Sequence, residues 1–222
     1  MPRRPRSSLI PAYFHVINRA ATKAPLFLKP RDYREFLQIL REGLTQHPAP
    51  VIAYCVLSNH WHLVIGPTGT ERLSTLMHWV ATTHAVRFRL RQKTVGEGPV
   101  YQGRFKSKEI EDAHALIRTC RYVERNALAA GLVRRAQDWP WASLADRRQA
   151  RPTFPLKAAE FMASDSWMEF VNQDLVTDPR RHDSGPSADM SESACSGAQT
   201  AISPTPMLNA RNISASSRRP AR

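Results

Sequence analysis

The chain has 222 residues, and its three cysteines form no Cys-x-x-Cys pair, which argues against a disulfide framework and against a zinc ribbon. Its formal net charge of +13 lies entirely within residues 1–150, and a basic domain of this kind is typical of a protein that binds nucleic acid. No hydrophobic run is long enough for a signal peptide or a membrane span, so we expect a cytoplasmic, nucleoid-associated protein with no membrane partner.

The hydrophobic pattern predicts seven elements in the order strand, helix, strand, strand, helix, strand, helix. The strands are predicted at residues 12–18, at two segments within 51–65 that a turn near Ser58 and Asn59 joins, and at 100–110. The helices are predicted from residue 30 to just before His47, at 73–91 and at 111–130. This order is that of the ferredoxin-like βαββαβα arrangement, an α+β fold with a four-stranded antiparallel sheet and helices packed on it.

Composition divides the chain into four segments. Residues 1–11 form a basic, proline-bearing arm, and residues 12–150 form the folded domain, which we expect Trp139-Pro140-Trp141 to close as an aromatic plug. Residues 151–177 predict a short helical extension. Residues 178–222 are rich in Ser, Pro, Ala and Gly, so we expect a disordered tail.

Two histidines, His60 and His62, lie in a run of apolar and β-favouring residues. Residues two apart on a strand point to the same face, so these two imidazoles would lie side by side and form half of a divalent-metal site. Two histidines alone hold a hard cation poorly, so an oxygen ligand is expected as well. A His-x-His by itself is more often an ordinary pair of strand residues. We interpret His78, His84 and His114 as surface or helix-packing residues.

Tyr122 and Asn126 lie four residues apart on the last predicted helix and therefore share one of its faces. Asn126 can supply the oxygen ligand. Tyr122 can act as a nucleophile on phosphorus, because a phenol has a pKa of about 10 and forms a reversible phosphodiester. A metal ion on His60 and His62 would polarise the phosphate under attack. Taken singly, Tyr122 would be a packed tyrosine and Asn126 a helix-capping residue, so the interpretation depends on the combination.

A run of basic residues lies along the fourth predicted strand. Alternation would place Arg104, Lys106 and Lys108 on one face of this strand and Phe105 on the other. This arrangement predicts an edge that follows the phosphates of a nucleic acid, although a solvated strand face would show the same pattern. The candidates for DNA binding are these three residues, Arg121, and Arg3, Arg4 and Arg6 of the arm, which could equally be an unordered tail.

Five stretches of the sequence carry a family pattern: Tyr13–Arg19, Asn59–Leu63, Gln102–Ser107, Arg121–Asn126 with Ala130–Val133, and Trp139–Ser143. Together they resemble the REP-associated tyrosine transposases of the single-tyrosine HUH superfamily, over about residues 9–145. Two departures occur. Ser58 stands where proline is common, and Ala127-Leu128-Ala129 follows Asn126 in place of proline, valine and arginine. Neither departure affects the four residues assigned to chemistry.

The resemblance implies a ferredoxin-like enzyme that cuts single-stranded DNA near palindromic hairpins. It implies that His60 and His62 bind Mg²⁺ or Mn²⁺ with Asn126 as the third ligand. It also implies that Tyr122 attacks the DNA and leaves a 5′-phosphotyrosine and a free 3′-hydroxyl. Since the superfamily includes dimers and monomers, we expect a monomer or a homodimer.

Two alternatives stay open at the level of the sequence. The first is a non-catalytic module that binds nucleic acid, such as RNA, through stacking aromatic residues on its sheet. The second is a domesticated transposase that has become a DNA-binding repressor and no longer cuts. A zinc hydrolase is disfavoured because the sequence has no His-Glu-x-x-His motif or comparable set of ligands.

Overall fold

The computed structural model describes residues 12–22, 25–149, 156–157, 159–162 and 164–173, all within one compact unit that ends at Leu175. The arm at 1–11 and the tail at 178–222 lie outside these residues. In the described part, the helices and strands are β1 (Ala12–Arg19), α1 (Pro30–Gln46), β2 (Val51–Val56), β3 (His60–Thr68), α2 (Thr70–Gln92), β4 (Lys106–Ile110), α3 (Ala113–Ala129), α4 (Ser143–Asp146) and α5 (Asp165–Asn172), with short 3₁₀ helices at Ala136–Asp138 and Glu160–Met162.

The four strands form one antiparallel sheet in the order β2-β3-β1-β4. The predicted α+β fold with a four-stranded antiparallel sheet is therefore confirmed. β1 is a central strand that pairs with β3 on one side and with β4 on the other. Residues on β1 therefore lie between β3, which carries His60 and His62, and β4, which carries Lys106 and Lys108.

Alternation along the strands gives the sheet two different faces. Phe14 of β1 and Trp61, Leu63 and Ile65 of β3 are buried in the core that the sheet forms with α1 and α2. Val64 lies in a second core, with buried residues of β2, α3 and α5. The sheet is the middle layer, because α1 and α2 pack on one of its faces and α3 packs on the β2 and β3 part of the other.

Side-chain caps fix where two of the helices begin. The Asp32 carboxylate accepts the backbone N–H groups of Leu28 and Lys29 at 3.0 and 2.9 Å, ahead of α1. The Asp112 side chain accepts the backbone N–H of Ala115 at 2.7 Å and caps α3. Such caps satisfy N–H groups that have no partner within the helix. This cap sets the residue at which α3 begins, and so it helps to set the direction in which Tyr122 points.

β4 is shorter than the sequence predicted. The strand covers Lys106–Ile110 rather than residues 100–110, and Tyr101 makes only an isolated bridge to Ala20. Gly103, which lies between the Tyr101 bridge and the start of β4, has a φ of 147°, a backbone conformation that other residues rarely adopt. The alternation of side chains that the sequence predicted therefore begins only after Gly103.

Gly66 lies within β3, which continues to Thr68, beyond the predicted strand segments at 51–65. Its φ is 140°, and a Cβ atom there would lie 2.5 Å from the Ala12 carbonyl oxygen, so no larger residue fits. The register between β1 and β3 shifts between Ala12 and Phe14, next to this contact. From Phe14 onward the two strands pair regularly, with His15 opposite Val64 and Arg19 opposite His60.

The Trp139-Pro140-Trp141 segment packs against α1 and β2. The Trp141 ring is stacked on Tyr33 with centroids 4.9 Å apart, and the Trp139 Nε1–H donates to the Val56 carbonyl oxygen at 2.9 Å. The Trp141 carbonyl in turn accepts the Val56 N–H at 2.9 Å. These contacts attach the chain after α3 to the end of β2, close to the turn that leads into His60.

Candidate active site

The predicted histidine pair faces α3. Because Trp61 and Leu63 point into the core with α1 and α2, the alternating residues His60 and His62 point to the opposite face. Their ring centroids are 5.0 Å apart and the rings are nearly perpendicular. His62 is only 2% exposed, whereas His60 is half-buried.

Each of these histidines has a hydrogen-bond partner on Nδ1. His60 Nδ1 is 2.7 Å from the Asn59 side-chain oxygen, and His62 Nδ1 is 3.0 Å from Nε2 of His15 on the neighbouring strand β1. An oxygen can only accept, so His60 carries its proton on Nδ1 and presents an unprotonated Nε2. A second-shell partner on one ring nitrogen with the other nitrogen left as ligand is the usual arrangement of metal-binding histidines.

Burial keeps the histidines of this site neutral. Desolvation and, to a smaller extent, the nearby Arg19 lower the pKa of His60 to about 4. Desolvation also lowers the pKa of His15 to about 4, with a smaller contribution from Lys108. The pKa of His62 is lowered well below its usual value, first by burial and then by the two neighbouring imidazoles. Neutral imidazole is the form that binds a metal ion.

Helix α3 brings Tyr122 and Asn126 to the histidines. The Tyr122 ring centroid is 5.5 Å from that of His62 and 5.9 Å from that of His15, and its side chain is 54% exposed. Asn126 Nδ2 lies 3.4 Å from His62 Nε2. The structure thus brings together all four residues to which the sequence assigned chemistry, and the aromatic nucleophile candidate remains accessible to a large substrate.

The opposite face of α3 is held in place by a buried carboxylate. Glu124 is fully buried; its Oε1 accepts the Ser143 hydroxyl at 2.6 Å and pairs with Arg147, and its Oε2 accepts the Trp167 Nε1–H at 2.7 Å. Ser143 also accepts the Tyr54 N–H of β2 at 3.0 Å. Glu124 therefore joins α3 to β2, α4 and α5, and so fixes the face of the helix that carries Tyr122.

Two arginines of α3 bind the end of α5. Arg125 Nη1 donates to the carbonyl oxygens of Val171 and Asn172 at 3.1 and 3.0 Å. Arg121 Nη2 donates to the Gln173 carbonyl at 2.8 Å, and its guanidinium lies 4.2 Å from the centroid of the Phe170 ring. Arg121, which the sequence assigned to DNA, thus contacts protein here, and its role toward DNA stays a prediction.

The predicted basic residues divide into two groups. Lys106 and Lys108 pair with Ile17 and His15 of β1, so their side chains lie on the sheet face that carries the histidines. Arg104 precedes β4 and instead lines a cleft of about 930 Å³ beside α2. The arm residues Arg3, Arg4 and Arg6 lie outside the described residues.

The donors at the site fit a divalent ion. Among the described residues, no group of three or more His, Cys, Asp and Glu side chains is placed to hold a metal ion. The set formed by His60, His62 and Asn126 instead has two imidazoles and one amide, whose Oδ1 would face His62 after a half-turn of the amide group. Two nitrogens with one oxygen suit Mn²⁺ and, with water or phosphate oxygens added, Mg²⁺.

Comparison with known proteins identifies the family. The family described as "Transposase IS200 like" matches residues 9–126, more than half of the chain. The chain belongs to this family. The family is one of tyrosine HUH nucleases, which typically use a divalent metal ion. No helix in the described part of this IS200-like transposase is long and apolar enough to cross a membrane.

Two individual proteins agree with this assignment. A protein of Haemophilus influenzae (strain Rd) named as a REP-associated tyrosine transposase is 24% identical over 140 residues, which cover 59% of this chain and 77% of that protein. A solved structure of a REP-associated tyrosine transposase bound to a REP hairpin matches with a TM-score of 0.52 at 17% identity, over 76% of this chain and 97% of the other. The structural likeness supports the fold, and the resemblance stated from the motifs is confirmed.

The sequence reasoning missed two residues of this IS200-like transposase. His15 contacts both His62 and Tyr122, and Arg19 lies opposite His60, yet neither was assigned a chemical role. Both lie on β1, where Phe14 and Val16 are buried in the opposite core and the residues that alternate with them, including His15 and Arg19, face the site. The period of two along Tyr13–Arg19 would have placed both on one face, but only pairing with β3 shows that this face meets the histidines.

The other histidines interpreted from the sequence, His78, His84 and His114, lie away from the site. His84 is 1% exposed, and its Nδ1 is hydrogen-bonded to the Tyr101 hydroxyl at 2.6 Å, with its ring packed against Phe27 and Phe36. It is a packing residue of α2. His78 and His114 are exposed on α2 and α3.

Proposed function

We propose that this IS200-like transposase is a metal-dependent endonuclease and strand transferase that acts on single-stranded DNA near palindromic hairpins, with Tyr122 as its nucleophile. The observation that carries the proposal is the contact of Tyr122 with the neutral histidine pair: its ring lies 5.5 Å from His62, on a helix whose opposite face is fixed by Glu124. The side chains assigned to chemistry come from one chain, which is consistent with an active monomer or with a dimer of complete sites. An enzyme with this substrate would act at the nucleoid, in the cytoplasm.

In the proposed reaction the Tyr122 oxygen attacks phosphorus and the bond from phosphorus to the 3′ oxygen breaks. The phenol proton is lost to solvent, the 3′ oxygen takes up a proton, and the products are a 5′-phosphotyrosine and a free 3′-hydroxyl. Mg²⁺ or Mn²⁺ bound by His60, His62 and Asn126 would act as a Lewis acid on the phosphate oxygens. Reversal of the first step with another 3′-hydroxyl transfers the strand.

Arg19 and Lys108 are suited to hold the phosphate under attack. They lie opposite His60 and His15 and face the site from its two sides, and each contributes to the low pKa of its partner. Among the described residues, neither forms an ion pair with a carboxylate. Cations without acidic partners beside neutral imidazoles form a site that attracts an anion. Lys106 continues this basic edge along β4.

The geometry disfavours the RNA-binding alternative. That alternative requires aromatic residues exposed on an open sheet face. In the described part of the chain, α3 packs over β2 and β3, Trp61 and Tyr54 are fully buried, and the site face presents His15, His60 and His62. A repressor derived from a transposase would keep this geometry, so only an assay of cutting separates it from the enzyme.

The test is an assay for a covalent protein–DNA adduct on a denaturing gel. Labelled single-stranded hairpins from the flanking genomic region are incubated with and without Mn²⁺, using the wild type, Tyr122→Phe and Tyr13→Phe. Tyr13 is a matched control, since it is a tyrosine of the same sheet face that no proposed step uses. We expect an adduct that requires Mn²⁺, is abolished in Tyr122→Phe and persists in Tyr13→Phe. Tight hairpin binding by the wild type without any adduct would contradict the proposal and favour the repressor.

A further inference from the structure

His15 is the hydrogen-bond partner of His62 Nδ1. The two rings are nearly parallel, with centroids 5.2 Å apart and His15 Nε2 3.0 Å from His62 Nδ1. His62 is 2% exposed, so water does not readily replace this partner. His15 is placed by the pairing of β1 with both neighbours, opposite Val64 of β3 and Lys108 of β4.

The direction of this hydrogen bond follows from the other side of the His62 ring. With the Asn126 amide as it lies in the structure, Nδ2 is 3.4 Å from His62 Nε2 and can only donate, so that nitrogen carries a lone pair; the half-turn that would offer Oδ1 to a metal ion would leave the same lone pair for the metal. A neutral His62 with an unprotonated Nε2 has its proton on Nδ1, and His15 Nε2 is therefore the acceptor. His60 has the same tautomer, because its Nδ1–H donates to the Asn59 oxygen. Both Nε2 atoms are thus left available as ligand atoms.

We infer that His15 is a positioning residue that holds His62 in the Nδ1–H tautomer, with its Nε2 directed toward α3. Its significance for metal binding rests on the proposed function, whereas the tautomer itself can be measured without metal or DNA. Without an acceptor at His15, the Nδ1–H of His62 would be buried and unsatisfied, which costs enough to favour the other tautomer or a rotated ring. Either change would remove Nε2 of His62 as a ligand atom.

The experiment compares the full chain with three variants. His15→Phe removes the acceptor and keeps a ring, and His15→Gln restores a side chain that can accept from His62. His84→Phe removes another buried imidazole, on the opposite sheet face, and controls for general loosening of the fold. Long-range ¹H–¹⁵N NMR on histidine-labelled, metal-free protein reports the tautomer of His62, and calorimetric titration with Mn²⁺ alone reports affinity.

We expect His62 as the Nδ1–H tautomer in the wild type, His15→Gln and His84→Phe, and a shift to the Nε2–H form in His15→Phe. Mn²⁺ affinity should fall about 10- to 100-fold in His15→Phe and recover in part in His15→Gln. An unchanged His62 tautomer in His15→Phe would overturn the inference. If the tautomer depended on His15 but the wild type bound no Mn²⁺, the inference would stand and the proposed metal-dependent function would fail.

Discussion

The two faces of the sheet differ in chemistry, although β3 contributes side chains to both. On β3, Trp61 and Leu63 are completely buried in an apolar core with α1 and α2, whereas His60 and His62 between and beside them form a polar site under α3. The first face stabilises the fold through burial of apolar surface. The second face holds half-buried and buried imidazoles that have no carboxylate partner among the described residues, which destabilises their charged forms and prepares them to bind a metal ion. A substitution at a site position of β3 should therefore reduce function, whereas a substitution at a core position of the same strand should reduce stability.

The largest expected effects are a loss of function on substitution of His60 and a loss of stability on substitution of Leu63. His60→Ala should abolish Mn²⁺-dependent adduct formation and change the free energy of unfolding little, since His60 is half-buried. Leu63→Ala should instead lower the free energy of unfolding by about 2–5 kcal/mol, because it leaves a cavity in a close-packed core, and should leave cutting intact in the fraction that stays folded. Urea unfolding and the adduct assay, run on both variants, measure the two quantities. Cutting by His60→Ala at the wild-type rate would refute the metal assignment.

The next effect concerns the support of α3. Glu124→Ala removes a buried carboxylate that accepts from Ser143 and Trp167 and pairs with Arg147, which leaves a buried guanidinium without its partner. We expect the free energy of unfolding to fall by about 3–5 kcal/mol. Under conditions where the variant is folded, we also expect slower cutting and weaker Mn²⁺ binding, because Tyr122 and Asn126 both lie on α3 and lose their fixed positions. Glu111→Ala, which changes an exposed acid just before α3, is the control and should alter neither quantity. Equal stability of the two variants would show that the Glu124 network does not hold the helix.

A third effect is a pH dependence of stability that both faces share. The pKa of His15, His60 and His84 is lowered from 6.5 to about 4 in the folded protein. Between these values the unfolded chain binds more protons than the folded one, so the free energy of unfolding falls as the pH drops from about 6.5 toward 4. Urea unfolding near pH 7 and near pH 5 should show this loss.

Replacing one buried imidazole should reduce the pH dependence. His84→Phe should reduce the difference in the free energy of unfolding between the two pH values. His78→Phe, at an exposed position, should leave that difference as in the wild type. A difference that is the same in all three proteins would mean that buried histidines do not cause it.

Local patterns predicted most of the elements and four residues of the site. The helical period of α1, the cap at Asp112 and the alternation through His60 and His62 each depend on neighbours in sequence, so their positions could be predicted. The start of β4 was predicted too early, because the positive φ of Gly103 interrupts a run that is otherwise apolar and basic in alternation. Strand ends of this kind depend on a single backbone angle, which composition does not reveal.

The sequence by itself determined the α+β class, the spacing that puts His60 beside His62 and Tyr122 on one face with Asn126, and the concentration of positive charge in the folded domain. These features follow from the periods of strand and helix and from counting charges. Only the tertiary structure decided which residues from distant parts of the chain meet there. The pairing of β1 with β3 brings His15 to His62 and Arg19 to His60, and the Glu124 network directs Tyr122 toward them. His62 contacts His15, which is 47 positions away in the sequence, and Asn126, which is 64 positions away. Such contacts depend on strand register and helix packing, which no local pattern specifies.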